Sequence, residues 1–206
     1  MNHILNKTSI FFLLYLSLLV GFFFDENSSG GALPDFIVRF DLIENFRDDF
    51  LTTFFEYNKF GDRHSPVLVM FLALFGKAGL EIESIRLIHL HLLPILVLIS
   101  YKSLIIKFPE IDKKIIFILC SVFFLSPSLR SISIWPDSRL LGLIFFISSI
   151  YFFLKFEKKN EYKYCILNNF FLIISSYISP NFSIFFLYFF YHYLKVYKFS
   201  SKLLFM

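Results

Sequence analysis

Long apolar runs, each ended by a cluster of lysines or a short polar turn, constrain this chain more than any other feature. Six of them, at about 8–24, 85–106, 115–128, 138–154, 164–179 and 181–194, approach the roughly 20 apolar residues that a helix needs to cross a bilayer. Hydrophobic residues make up 57% of the chain and 32 residues are Phe, whereas charged residues are only 17%, below the quarter usual for soluble domains. The expectation is an all-α integral membrane protein. It would be a polytopic helical bundle of about six spans forming a single transmembrane domain over 1–206. The net charge of +4 does not signal nucleic acid, because the lysines sit in short groups between apolar runs. Cys120 and Cys165 both fall in or beside such runs, which argues against a disulfide framework. Residues 1–24 could also be a secretory signal. The absence of a small-residue cleavage site before Asp25 favours an uncleaved first span.

A further stretch, "PVLVMFLALFGKAGL" (66–80), is shorter and carries Lys77. The lysine pattern decides how to read it. If 66–80 does not cross, Lys7, the group around Lys102 to Lys114, the group Lys155 to Lys163 and the group Lys195 to Lys202 all share one face, as the positive-inside rule requires. The stretch is therefore expected to lie at the outer surface, with Ser65 as a cap and Pro66 in its first turn. The same topology puts all six arginines (Arg39, Arg47, Arg63, Arg86, Arg130 and Arg139) at the outer side. Arginine presents a planar fork of donors suited to carboxylate and phosphate. The protein is expected in the plasma membrane, multi-pass, with its working face toward the periplasm or exterior.

Residues 25–80 form the outer-face loop. The part from 25 to 63 holds nine of the sixteen acids. Within it, "DFIVRFDLIENFRDDFLTTFFEY" (35–57) repeats Phe36, Phe40, Ile43, Phe50 and Phe54 at helical spacing, with acids between them. This predicts amphipathic juxtamembrane helices, with Asp35 as an N-cap. Asp25 and Glu26 stand apart from the other acids, at the mouth of the first span. A carboxylate in that lowered dielectric is a better proton acceptor near neutral pH than one in water. The competing reading is a simple polar stop. Between the third and fourth spans, "LSPSLRSISIWPDSRLLG" (125–142) places Arg130, Trp135, Asp137 and Arg139 at helix ends broken by Pro127 and Pro136. Trp135 reads as an interface anchor and Asp137 as a cap beside a neighbouring charge. Boundary charges are costly, however, and mark sites.

The Asp25–Glu26 pair, the amphipathic loop, "HSPVLVMFLALFG", "SIRLIHLHLLPILV" and "SPSLRSISIWPDSRLLGLIF" follow one another in an order that resembles the GT-C glycosyltransferases. The nearest likeness is to the protein O-mannosyltransferase-like group, which includes the lipid A aminoarabinose transferases. The resemblance implies transfer of a sugar from a polyprenyl-phosphate carrier to a glycan, lipid or protein acceptor at the outer face, with inversion. Asp25 would be the base and Glu26 would orient it or the acceptor. Arg63, His64, Arg130, Asp137 and Arg139 would bind substrate. The lipid-phosphate sugar is a co-substrate, and no metal or other cofactor is implied. The family's modules are longer, so the chain would correspond to an N-terminal part of one. A second reading, a transporter or flippase component for lipid-linked sugars, predicts inverted repeats and midplane polarity. No clear repeat is visible, and polarity within the runs is limited to His89, His91 and scattered serines. An inactive remnant would be the third reading, and Asn or Ala at position 25 would have favoured it.

Overall fold

The computed structural model describes residues 7–62 and 64–198. Among these the chain is helical throughout. The first apolar run forms α1 (Lys7–Phe23). The outer loop folds as α2 (Ala32–Asp48), α3 (Phe50–Phe55) and a 3-10 turn at Tyr57–Phe60, followed by α4 (Val67–Lys77). Then come α5 (Ile82–Leu90), α6 (Leu92–Lys107), α7 (Lys113–Ser121) with a 3-10 extension to Leu125, and α8 (Pro127–Ile134). The chain continues as α9 (Ser138–Lys159), α10 (Tyr162–Ile178) and α11 (Phe185–Tyr197).

Among the described residues, two helical stretches are long and apolar enough to cross a membrane: Ile82–Lys107, which joins α5 to α6, and Ser138–Lys159. The pair Lys113–Leu125 and Pro127–Ile134, bent by 66°, makes a third if taken as one span. The remaining apolar runs form shorter helices. At 11 residues, α4 covers about 16 Å, roughly half the hydrocarbon core.

The breaks have local causes. Pro94 lacks the N–H that would bond the carbonyl of Leu90, and the helix yields at His91. His91 is held there by its ring, with Nδ1 2.6 Å from the carbonyl oxygen of Leu87 and Nε2 2.7 Å from the Tyr15 hydroxyl on α1. The 66° bend falls at Ser126–Pro127, where Pro127 opens α8 and the Ser126 hydroxyl accepts from the backbone N–H of Leu129. Asp137 caps α9 by accepting from the backbone N–H of Arg139 at 2.7 Å, and Asn160 ends it in the left-handed region at φ 52°.

Two of the expected caps are absent. α2 begins at Ala32 after Gly31, so Asp35 lies inside the first turn, where its carboxylate meets Arg139 instead. α4 has no side-chain cap, and the Ser65 hydroxyl is buried without a partner among the described residues. The amphipathic reading of 35–57 holds for Phe36 and Ile43, which are buried with Phe46; Phe54 is exposed. Asp41, Asp48 and Asp49 face outward.

α9 is the central strut, packed along α6 on one side and α10 on the other. Its contact with α10 is close because Gly142 carries no side chain, and a Cβ there would lie 3.0 Å from that of Ser179. Polar bonds lock the same seam. The Ser175 hydroxyl donates to the Gly142 carbonyl, Asn168 donates to the Ser149 carbonyl and hydroxyl, and the Tyr193 hydroxyl donates to Asn168. Small residues and interhelical hydrogen bonds are what hold helices together in apolar surroundings. Beyond these seams the helices keep apolar outer faces, with Leu13, Leu16 and Val20 on α1, Phe170 and Ile173 on α10, and Leu187 on α11 all exposed. Patches of that extent favour lipid over water.

Charge separates by end. Along α5 and α6, Arg86 and Lys107 lie about 31 Å apart, close to the hydrocarbon thickness. The arginines Arg39, Arg86, Arg130 and Arg139 gather with most of the acids at one end, and Lys107, Lys155, Lys158 and Lys159 lie at the other with a few acids such as Glu157. Cysteines introduced one at a time at exposed Ser29 and Lys102 should react with a membrane-impermeant maleimide from opposite sides of sealed cells or vesicles. Labelling of both from the same side would refute this placement.

Candidate functional site

Two charge clusters sit side by side where α1 ends and α8 turns into α9. The first is built by a single residue in an unusual conformation. Asp25 has φ 51°, in the left-handed region that Asp tolerates better than most side chains. This twist separates the paired acids. Glu26 turns inward and Asp25 turns out.

Glu26 lies against Arg130 of α8, and both carboxylate oxygens accept from that guanidinium. Arg130 Nε donates to Oε1 at 2.8 Å and Nη2 donates to Oε2. Nη2 also donates to the Ser17 carbonyl, and Nη1 donates to the Ser17 hydroxyl and the Phe124 carbonyl. A guanidinium has five N–H donors, and all five are matched here. Arg130 is buried, and nothing in its fork is left for an outside anion. The Arg130 bond holds Glu26 below the usual carboxylate range, against the opposing effect of burial. The turn is tied down further by Trp135, whose Nε1 donates to the Glu26 carbonyl at 3.1 Å, and by the Ser131 hydroxyl, which donates to Asn27.

Asp25 is different in every respect. Its side chain is 65% exposed, and Oδ1 accepts from Arg86 Nη2 at 2.8 Å. Oδ2 has no partner among the described residues. Arg86 itself is only 4% exposed. It is fixed by Glu83 through Nη1, by the Ile134 carbonyl through Nε, and by the Trp135 ring, whose centroid lies 3.7 Å from the guanidinium carbon. Trp135 is thus buried between the two arginine sites and is not the interface anchor its sequence position suggests.

The second cluster starts two residues on, at Asp137. This carboxylate is buried, which pushes its pKa up, but the bonds from Arg139 outweigh that and hold it below the usual range. Arg139 Nε donates to Oδ1 at 2.9 Å and Nη2 donates to Oδ2 at 2.8 Å, while Nη2 also reaches Asp35 at 3.3 Å. Arg139 is 54% exposed and its Nη1 has no partner among the described residues. Arg39 of α2 lies 4.0 Å from Asp137 and 3.6 Å from Asp62. It forms one wall of a cleft of about 330 Å³, with Asp35, Asp41, Asn45, Asp62 and His64 around it. The His64 backbone is fixed, its N–H donating to Asp62 and its carbonyl accepting from the Tyr57 hydroxyl, and its side chain is exposed on the cleft.

Of the residues expected from sequence, Asp25, Glu26 and Arg130 meet in one cluster, and Asp137, Arg139 and His64 belong to the other. Arg63 lies outside the described residues. Arg86 and Glu83 complete the first cluster and were not anticipated. The signal was present, since Arg86 interrupts an otherwise apolar run in "SIRLIHLHLLPILV". His89 is fully buried, its Nδ1 3.1 Å from the Ser133 carbonyl oxygen, as a packed core histidine would be. No family model, curated protein or solved structure matches the chain.

The inward turn of Glu26 needs the space that Gly21 leaves. A methyl at Gly21 would lie 2.6 Å from Arg130 Nη2 and closer still to Glu26. Gly21→Ala should lower unfolding stability in detergent by about 1–3 kcal/mol, the range of overpacking, and a variant as stable as the parent would contradict the geometry. Acid should act through the same pair. Because the folded state depresses the pKa of Glu26, its contribution is fully present above the ordinary value of 4.5 and is lost as pH falls through the depressed folded value. Unfolding followed from pH 7 to 3 should show that loss in the parent and a shallower one in Glu26→Gln.

Proposed function

We propose that the chain carries the catalytic base of a membrane glycosyltransferase of GT-C type, and that its six apolar runs all serve as spans, with 66–80 at the outer surface. The observation that carries this reading is the splitting of the acid pair. Of two adjacent carboxylates, one is locked by two bonds from a guanidinium whose five donors are all matched. The other stands exposed at a helix mouth, one oxygen oriented by a buried arginine and the other oxygen open.

In this reading Asp25 is the general base. The acceptor hydroxyl oxygen attacks the anomeric carbon of the lipid-linked sugar, and its proton passes to Asp25 Oδ2. The bond between the anomeric carbon and the carrier phosphate breaks, its electron pair leaving with the phosphate, and the configuration inverts. Arg86 positions the carboxylate. Arg139, with an unmatched Nη1, is the better-placed cation for the departing phosphate. Arg130, whose donors are all matched, holds the loop. The cleft around Arg39, with three carboxylates and one amide, suits hydroxyl groups of a sugar better than a phosphate. His64 belongs to that cleft.

Membranes bearing the chain, supplied with polyprenyl-phosphate-linked sugar and a hydroxyl acceptor, should yield glycosylated acceptor. Asp25→Asn should reduce the rate roughly 10²–10⁴-fold with little change in thermal stability, because the side chain is exposed. Undiminished transfer by Asp25→Asn would overturn the assignment. Movement of the lipid-linked sugar across the bilayer without transfer, unaffected by Asp25→Asn, would establish the carrier reading instead.

A further inference from the structure

At the lysine-rich end, far from the acid pair, α6, α9 and α11 part to leave an apolar crevice of about 510 Å³. Phe123, Ile147, Phe153, Phe185 and Phe189 supply most of its wall. Such a volume falls within the range of pockets that bind small molecules. Two polar features break its apolar character, and together they describe an amphiphile.

The first is at the mouth. Lys107 and Glu157 both line the crevice and form a loose ion pair, with Nζ 3.9 Å from Oε2, too long for a hydrogen bond. Their side chains are partly exposed, at 55% and 37%. The second is deeper. Ser100 lies seven residues before Lys107, about 10 Å along α6. It is 6% exposed, lines the crevice, and its hydroxyl has no partner among the described residues. The neighbouring Ser103 satisfies its own hydroxyl by donating to the Ile99 carbonyl at 2.9 Å. A hydroxyl with no acceptor is costly in an apolar wall, and a turn of this buried side chain toward the crevice would let a ligand atom accept from it.

We propose that this crevice holds one zwitterionic aminophospholipid. Its phosphate meets Lys107 and its ammonium meets Glu157. An acyl chain fills the aromatic trough, and an ester carbonyl accepts from Ser100. The charge of the mouth selects the headgroup. One cation and one anion sum to zero. An anionic phospholipid or a polyprenyl phosphate leaves Glu157 facing like charge. A quaternary choline has no N–H to give Glu157. A primary ammonium linked to a phosphate by a short spacer satisfies both sides. The lysine stem lies along the apolar wall and lifts its charge to the membrane surface. This site is independent of the transferase reading and stands or falls separately from it.

The test is native mass spectrometry of the whole chain released from bilayers made of equal parts phosphatidylethanolamine, phosphatidylglycerol and phosphatidylcholine. One phosphatidylethanolamine should remain per chain, enriched roughly three- to tenfold over the other two, the range one partly exposed charge pair supplies. Glu157→Gln, at a partly exposed position, should abolish the enrichment over phosphatidylglycerol. Ser100→Ala should weaken retention of all three lipids alike. Equal retention of the three headgroups, a preference for phosphatidylglycerol, or enrichment unchanged by Glu157→Gln would overturn the proposal. Displacement of the lipid by added polyprenyl phosphate would overturn it too, assigning the crevice to an isoprenoid chain.

Discussion

The charge cluster around the acid pair depends on one guanidinium having all its donors matched. Arg130 takes two acceptors from Glu26, two from Ser17 and one from Phe124. It thereby pins the residue after α1 to the body of α8. A buried charge is tolerable only when it is paired and hydrogen-bonded, and here both conditions are met. With Glu26 fixed, its carbonyl fixes Trp135, and the Trp135 ring becomes a floor for Arg86. Arg86 in turn reaches Asp25. The exposed carboxylate is held at the end of a chain of contacts that begins with a wholly structural one.

The arrangement turns the two members of an acid pair into different devices. Adjacent side chains on a helix already diverge by about 100°. The left-handed conformation of Asp25 takes the chain out of the helical path and turns Glu26 back against Arg130 while Asp25 faces out. Neighbouring charges then act on them differently. Glu26 sits in a nearly closed set of donors, and Asp25 meets one donor and open space. The short segment Trp135–Pro136–Asp137 repeats the economy. Trp135 serves the first cluster and Asp137 the second, so one break between α8 and α9 supports both.

The helical architecture was legible in the sequence because apolar runs and prolines act locally. Each expected span falls on helical residues, although 85–106 divides between α5 and α6 and 115–128 between α7, its 3-10 extension and α8. The 66° bend falls at Pro127, and the break between α5 and α6 falls just ahead of Pro94. Their lengths do not all suffice alone: by length and composition two helices can cross, or three with the bent pair. The caps were less legible. Asp35 looks like an N-cap after Pro34, yet the helix starts three residues earlier and Asp35 is drawn to Arg139, 104 positions away. The site was half legible. Asp25, Glu26, Asp137 and Arg139 could be flagged by placing charge at helix mouths. Which arginine serves which acid could not, because Glu26 and Arg130 are also 104 residues apart, and Asp25 and Arg86 are 61. Arg130 was expected to face a ligand and is instead wholly engaged inside. Arg86, the residue that does orient Asp25, stood out from the apolar run around it, but nothing local paired it with that acid.

The central claim is that the two acids carry unequal structural weight, and paired double-mutant cycles for unfolding in one membrane preparation measure that directly. Glu26→Gln with Arg130→Gln should show a coupling of about 2–5 kcal/mol, as close, hydrogen-bonded charge pairs do. Asp25→Asn with Arg86→Gln should show less than about 1 kcal/mol, as exposed carboxylates do. Equal couplings, or a larger one for Asp25, would mean that the exposed acid is also structural, and the case for its being free to react would fail.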